Sequence, residues 1–304
     1  ALLDRQFALG LNQLFFHVTV HNPFLDRKPG MTLDGIGLFF QRDQTWWGRA
    51  KAWVDYITRC QALLQLGHPV VDLAVFTGLE VPRRALLPDR LLPFLPGLAG
   101  TERVAKEAVR QANKGVPLAE RPVGVRHAAN LMDPADWVDV FRGYQYDSFN
   151  PDALFRLAKA ENGRLVLPGG AAYSALIVPQ PHALAPLETT PYTAQEASLV
   201  STLRQLADEG VPVLAPPVLA ERLGLTPTLP WKASDLSTLR ITPDLLVSEN
   251  GREAAGSLAW THRAGEGFDL YFIANQQATD RRLSLSLRVN GRLPELYDPV
   301  DGRV

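Results

Sequence analysis

The residues with the most chemical potential stand near the start of the chain. The stretch LNQLFFHVTVHNP, Leu11 to Pro23, carries His17, His21 and Asn22. Two imidazoles and a carboxamide both donate and accept hydrogen bonds, which suits a ligand that does both. Metal ligation fits the spacing poorly. In a strand, residues four apart stand about 13 Å from each other on one face, too far to share one ion. A histidine inside an apolar strand more often holds a hydrogen-bonded place in the core, whereas His21, at the strand's exit, is better placed to meet a ligand. A second group follows in FQRDQTWW. Arg42 and Asp43 are polar enough to contact a ligand, and Trp46 and Trp47 offer stacking faces, although such residues more often form a solvated loop and a packed helix start. Glu80 in FTGLEVP follows a buried strand, a position where α/β proteins often keep ligands, but it reads more readily as structural.

Two other chemistries lack their residues. A class I amidotransferase needs a cysteine on a sharp strand-to-helix turn, and Cys60, the single cysteine, sits mid-helix among apolar neighbours where a thiol is buried and inert. Dinucleotide binding needs G-x-G-x-x-G between a strand and a helix, which LPGGAAYS does not supply; Gly169 and Gly170 read as a turn before the strand Tyr173 to Pro179.

The elements that must position these residues follow from periodicity. Leu11 to Val20 is rich in Phe, Val and Leu, the pattern of a strand covered on both faces. Apolar residues then recur at Trp46, Ala50, Trp53, Ile57, Cys60 and Leu64, a helical stripe with Thr45 as cap and Gly67 as stop. VVDLAVFTG, GYQYDSF, YSALIVP and VPVLAPP read as strands, and TAQEASLVSTLRQLADEG as a helix ending at Gly210. Strand, helix and strand in that order imply a βαβ unit and a parallel sheet. After the Pro- and Thr-rich LGLTPTLPW the texture changes. GSLAWTHR, FDLYFIANQ, RRLSLSLRV and LPELYDP alternate apolar and polar residues between short turns, as antiparallel strands do.

Composition bounds the reading. A chain of 304 residues, 46% hydrophobic and with a formal net charge of −1, can bury a large core in two or three domains. Lys+Arg 31 against Asp+Glu 32 leaves no basic excess for phosphates, so no nucleic-acid partner is expected. No apolar run approaches the roughly 20 residues a membrane helix requires, so no membrane partner is expected, and ALLDRQFALG lacks the form of a signal peptide.

FALGLNQLFFHVTVHNP, PGMTLDGIGLFFQRDQTWWGRAKAWVDYITRCQALLQLG, VFTGLEVP, GYQYDSFNPDALFRL, NGRLVLPGGAAYSALIVP and PELYDPVDG together resemble the carboxy-terminal half of glycoside hydrolase family 106, the α-L-rhamnosidase-like proteins. The resemblance runs nearly end to end, and the tryptophan helix with the PGMT loop before it is its most specific part. It implies an α/β chain in three parts: the terminal strand and helix of a (β/α)8 TIM barrel over 1–68, a flavodoxin-like, amidotransferase-like parallel-sheet domain over 69–232, and antiparallel strands of a partial β-sandwich over 233–304. On that frame His17 lies near the carboxyl end of the last barrel strand with His21 and Asn22 in the loop beyond, on the face where barrel enzymes hold substrates. With Arg42 and Trp46 they are expected to contact a carbohydrate. Where family members carry glutamine this chain has Asn22, and Leu79 replaces one of an acidic pair beside Glu80.

Hydrolysis of a glycosidic bond in most families needs two carboxyl groups flanking it. A barrel takes at least about 200 residues, and no Asp or Glu occurs between Gln6 and Asn22. The resemblance implies that the catalytic carboxylates lie upstream of Ala1. The expectation is a fragment, inactive alone, of an enzyme acting on terminal rhamnosides. No cofactor is expected in this chain, with any calcium in the upstream barrel left open, as is a homo-oligomer. A polysaccharide-degrading enzyme implies a periplasmic or extracellular location. The competing expectation is a non-catalytic α/β plus β-sheet module for carbohydrate binding or oligomerisation.

Overall fold

The computed structural model describes residues 2–17, 19, 21–24, 26–27, 40–79, 88–91, 102, 104–105, 139–179, 193–225, 236 and 239–304. Glu80 and most of the Pro- and Thr-rich linker lie outside them. In chain order come helix α1 (Leu2–Ala8), a 3-10 turn (Trp47–Arg49), helix α2 (Ala50–Leu64), strands β1 (His68–Pro69) and β2 (Leu73–Phe76), and the short helix α3 (Pro88–Leu91). Strands β3 (Tyr146–Phe149), β4 (Lys159–Glu161), β5 (Arg164–Val166), β6 (Ala172–Tyr173) and β7 (Ala175–Ile177) follow, then helix α4 (Thr193–Asp208), β8 (Val213–Leu214) and helix α5 (Pro217–Leu223). The chain continues through β9 (Leu245–Glu249), β10 (Arg252–Glu253), β11 (Leu258–Gly265), β12 (Phe268–Asn275) and β13 (Ser284–Leu287). No described helix is long and apolar enough to cross a membrane. Two compact units result. The larger holds Val70–Ala259 and Ile273–Arg288, the smaller Leu3–Pro69, Trp260–Phe272 and Val289–Val304.

The larger unit is built on a four-stranded parallel sheet in the order β3-β2-β7-β8. Side chains of a strand alternate between faces, and here both faces are covered. Leu73, Val75, Ala175, Ile177 and Leu214 pack with Phe141, Tyr144 and Ile241 on one side. Ala74, Phe76, Leu176 and Val213 pack on the other against Leu199, Leu203 and Leu206 of α4 and Ala220 and Leu223 of α5. That double burial explains why VVDLAVF reads as continuous apolar sequence. Two antiparallel three-stranded sheets flank it in order β4-β5-β6 and β10-β9-β13. Asn162-Gly163 and Asn250-Gly251 close their hairpins with positive φ at both residues, the backbone a tight two-residue turn demands.

One cation joins these sheets. Arg288, just past β13, sends Nη1 and Nη2 to the two carboxylate oxygens of Asp72, each at 3.0 Å, and Nη1 also donates to the Thr242 carbonyl at 2.9 Å. Its Nε stands 3.4 Å from the buried Asp244 carboxylate. Asp72 in turn accepts the Ser174 N–H on its backbone oxygen at 2.7 Å, tying the starts of β2 and β7. Beside this clamp Asp139 accepts backbone N–H bonds from Phe141, Arg142 and Gly143. Gly143 has φ +106, and a Cβ there would stand 2.1 Å from the Leu245 carbonyl oxygen, so only glycine fits.

In the smaller unit α2 is the spine. Ile57, Cys60 and Leu64 are buried; Cys60 and Leu64 pack with Phe7 of α1 and with Leu270 and Phe272 of β12. Phe7 and Phe272 meet edge to face at 5.7 Å. Burial pushes the Cys60 thiol pKa up. Gly67 (φ +59) ends the turn after α2 because a Cβ would stand 2.2 Å from the Ala264 carbonyl oxygen, and Arg263 donates to the Leu66 and Gly67 carbonyls at 2.7 Å each. Strands β1, β11 and β12 form the unit's sheet. In it His262 is 3% exposed, stacked on Tyr271 at 3.9 Å, with Nε2 3.2 Å from Asp269. Arg59 of α2 holds the Pro299 and Val300 carbonyls at 3.1 and 2.9 Å.

Several local expectations are corrected. Leu11–His17 forms no strand, because no other strand runs beside it among the described residues and a ladder needs a partner. Thr45 does not cap α2, which grows out of the 3-10 turn with Arg49 at its N-cap and no side-chain cap. LPELYDP is not a strand either; Asp298 draws it into a turn, accepting the Val300 N–H at 2.8 Å while Asp298 N–H donates to the Arg303 carbonyl at 2.9 Å.

The clamp generates a prediction with a definite sign. Burial, and behind it the Asp244 charge, raise the Asp72 carboxyl above the ordinary carboxylate range, while Arg288 pulls it back. A carboxyl raised in the folded state contributes most below its unfolded pKa, and that contribution is lost as pH rises through the folded value. Arg288→Met removes the strongest opposition to that rise and leaves two buried carboxylates together. It should cost about 3 kcal/mol at pH 7 and clearly less at pH 4 in urea titrations. An equal loss at both pH values would mean that Arg288 acts by packing alone.

Candidate functional site

The first turn of α2 and the segments before it assemble the site in the smaller unit. Leu11–His17 has no regular secondary structure, and its backbone is held by side chains of α2 and its C-cap: Leu14 N–H donates to Gln61 Oε1 at 2.6 Å, and Gln65 Nε2 donates to the Asn12 carbonyl at 2.8 Å. Glutamines at positions four apart share one helical face, so these two grip consecutive parts of one segment.

That grip delivers Phe16 to a cluster of rings. Phe16 lies 4.8 Å from Phe40 and 5.1 Å from Trp53; Phe40 and Trp53 stack at 5.9 Å with 8° between their planes. Trp46 meets Phe40 edge-on at 5.8 Å and touches Trp47 at 6.2 Å and Trp53 at 6.3 Å. The cluster is open on one side. Phe16 is 46% exposed, Trp47 41% and Trp53 37%, and Phe15, next to Phe16 in the chain, is 85% exposed. The apolar stripe of α2 thus runs from buried at Leu64 to exposed at Trp53, where periodicity placed packing.

The polar residues of the same segments differ in exposure. His17, His21 and Arg42 are exposed, and Asn22, Asp43 and Trp46 half-buried. Asn22 Nδ2 donates to the Asp43 carboxylate, which joins the loop after that segment to the loop before the tryptophans. The structure therefore links Asn22 with Asp43 and Trp46 with the ring cluster; among the described residues no contact joins His17 or His21 to either. Among the described residues no three His, Cys, Asp or Glu side chains gather as a metal-binding group. The arrangement can stack an apolar face and exchange hydrogen bonds. Asp43 is its one carboxylate among the described contacts, and one carboxylate held by an amide is half of an acid–base pair.

Phe16, Phe40, Gln61 and Gln65 were not singled out from sequence. Phe40 sits in LFFQRDQ and carried a readable signal, an apolar residue next to a polar turn. The glutamines carried none, since nothing local marks a side chain that will bond to a backbone some 50 residues away.

Comparison with known proteins adds three findings. A family model described as alpha-L-rhamnosidase, glycoside hydrolase family 106, matches residues 1–112 and 226–304. A putative beta-glucuronidase of Formosa agariphila is 27% identical over 303 residues, covering 99% of this chain and 22% of that protein. The structure of a rhamnosidase from Novosphingobium sp. PP1Y superposes with a TM-score of 0.64 at 25% identity, covering 99% of this chain and 26% of that one. The chain spans about a quarter of the length of either relative.

The glutamine grip is testable. Gln61→Leu keeps the helix and removes the acceptor for Leu14 N–H, a loss of about 1 kcal/mol. Hydrogen exchange at Leu14 should quicken about fivefold, with the amides of α2 unchanged. Unaltered exchange at Leu14 would mean that the segment is held by its rings alone.

Proposed function

The chain belongs to glycoside hydrolase family 106, the α-L-rhamnosidase family, and on that premise we propose that it is the carboxy-terminal part of a larger enzyme that hydrolyses terminal α-L-rhamnosides. The observation that carries the proposal is the open ring cluster at Phe16, Trp47 and Trp53, together with a chain that spans about a quarter of its relatives. Aromatic surface on this scale is normally covered. Further barrel strands would cover it and would give Leu11–His17 the ladder partners it lacks.

On this reading residues 1–68 supply the last strand and helix of a (β/α)8 barrel, 69–232 a flavodoxin-like domain and 233–304 part of a β-sandwich. The sheet order β3-β2-β7-β8 matches the way a flavodoxin-like sheet begins, with the second strand outside the first and later strands on the other side. The chain's own share in the reaction is binding. His17, His21, Asn22 and Arg42 present donors and acceptors suited to sugar hydroxyls, and Trp46 contributes a face for the ring's C–H groups. Asn22 and Asp43 fix each other, so the loop meets substrate in one shape. The acid and its partner carboxylate come from outside the chain, which leaves the chain inactive alone. A polysaccharide-degrading role supports a periplasmic or extracellular location for the larger enzyme.

The test sets the 304-residue chain beside a protein extended upstream in the same reading frame, both assayed on p-nitrophenyl α-L-rhamnoside. Turnover is expected only in the longer protein, and His21→Ala within it should raise KM about tenfold with a smaller change in kcat. Hydrolysis by the short chain would overturn the division of labour. Two inactive proteins, both folded, would favour a non-catalytic module.

A further inference from the structure

A cleft of ≈ 370 Å³ opens in the larger unit, apart from the ring cluster. It lies at the amino ends of the parallel strands, since Asp72 precedes β2, Ser174 precedes β7 and Pro212 precedes β8. Ligands of parallel sheets usually collect at the opposite, carboxyl ends, so general fold rules do not account for it.

Its lining is cationic. Arg164, Arg240 and Arg288 face it with Asp72 as the one carboxylate, and Ser174 and Thr242 add hydroxyls. The three arginines differ in what they already hold. Arg288 is committed to Asp72 and Asp244. Arg164 gives one Nη2 bond, 2.7 Å, to the neutral Ala172 carbonyl and meets a carboxylate only through its longer-range pull on Asp72. Arg240 has no ion-pair partner among the described residues. Its backbone sits at φ +59, a conformation that favours glycine and costs an arginine about 1 kcal/mol or more. A strained arginine beside a second cation and two hydroxyls is arranged for an anion.

We infer that this cleft binds an anionic sugar, its carboxylate or sulfate held by Arg164 and Arg240 and its hydroxyls by Ser174 and Thr242. A guanidinium matches either oxyanion with two parallel N–H bonds. The volume, set against about 30 Å³ for a water, has room for a sugar ring as well as its charged group. Asp72 and Arg288 form the wall and fix the hydroxyl side. The choice of a sugar as carrier rests on the carbohydrate-active reading above; the choice of an anion does not, and rhamnoside turnover is read in a separate assay.

The experiment titrates the chain with sodium glucuronate, glucose and sodium sulfate at matched ionic strength, by calorimetry. Glucuronate is expected to bind at one site, glucose at least about tenfold more weakly and sulfate in between. Arg240→Gly suits the backbone and should melt no lower than the parent while weakening glucuronate at least about tenfold. Arg164→Gln should weaken it similarly. Glucuronate binding no tighter than glucose, or undiminished in Arg240→Gly, overturns the site. Sulfate binding with glucuronate excluded overturns the sugar and leaves an inorganic oxyanion.

Discussion

The larger unit depends on one guanidinium held between two buried carboxylates. Arg288 reaches Asp72 at the head of β2 and Asp244 at the head of β9, so it sets where the antiparallel sheet meets the amino edge of the parallel one. Two negative charges share one close positive partner, with Arg164 adding a weaker pull on Asp72 from nearby. Such a pair adds little net stability over an apolar substitute, yet removing one member is severe. Its value is positional: with Asp72 fixed, Ser174 and the start of β7 are fixed through a backbone bond, and the cationic cleft takes its shape from the same atoms.

The smaller unit is organised differently, by apolar contact graded along a single helix. Cys60 and Leu64 are enclosed by Phe7, Leu270 and Phe272, whereas Trp53, two turns earlier, has rings on one side only. The role of core histidine falls to His262, stacked and bonded within its sheet, while His17 and His21 stand in the open. Burial therefore separates a histidine that holds structure from two that stand exposed.

How much of this was legible in sequence follows from the range of each interaction. The apolar stripe of α2, the doubly buried strand β2 and helix α4 with its stop at Gly210 are local patterns, and they form where periodicity put them. Leu11–Val20 has the composition of a buried strand, but a strand is completed by its neighbours, and the glutamines of α2 and its C-cap take their place along Leu11–His17. Arg288 was illegible for a similar reason. Its partner Asp72 is 216 residues away, and the only trace is a charge embedded in VVDLAVF. At the candidate site, Trp46 and Asn22 acquire partners while the exposed histidines show residue type alone.

The bond from Arg59 to Pro299 spans 240 positions, and this bears on how the chain is made. At about 5–20 residues per second, ribosomes complete α2 roughly 10–50 s before its carbonyl partners exist. For most of that interval β12, which covers the Cys60 face, is also untranslated. The intervening parallel-sheet unit can collapse on its own contacts meanwhile. The tryptophan helix emerges before the parallel-sheet unit and matures after it, and a nascent chain in that state offers its apolar stripe to holding chaperones or to its neighbours on the same message.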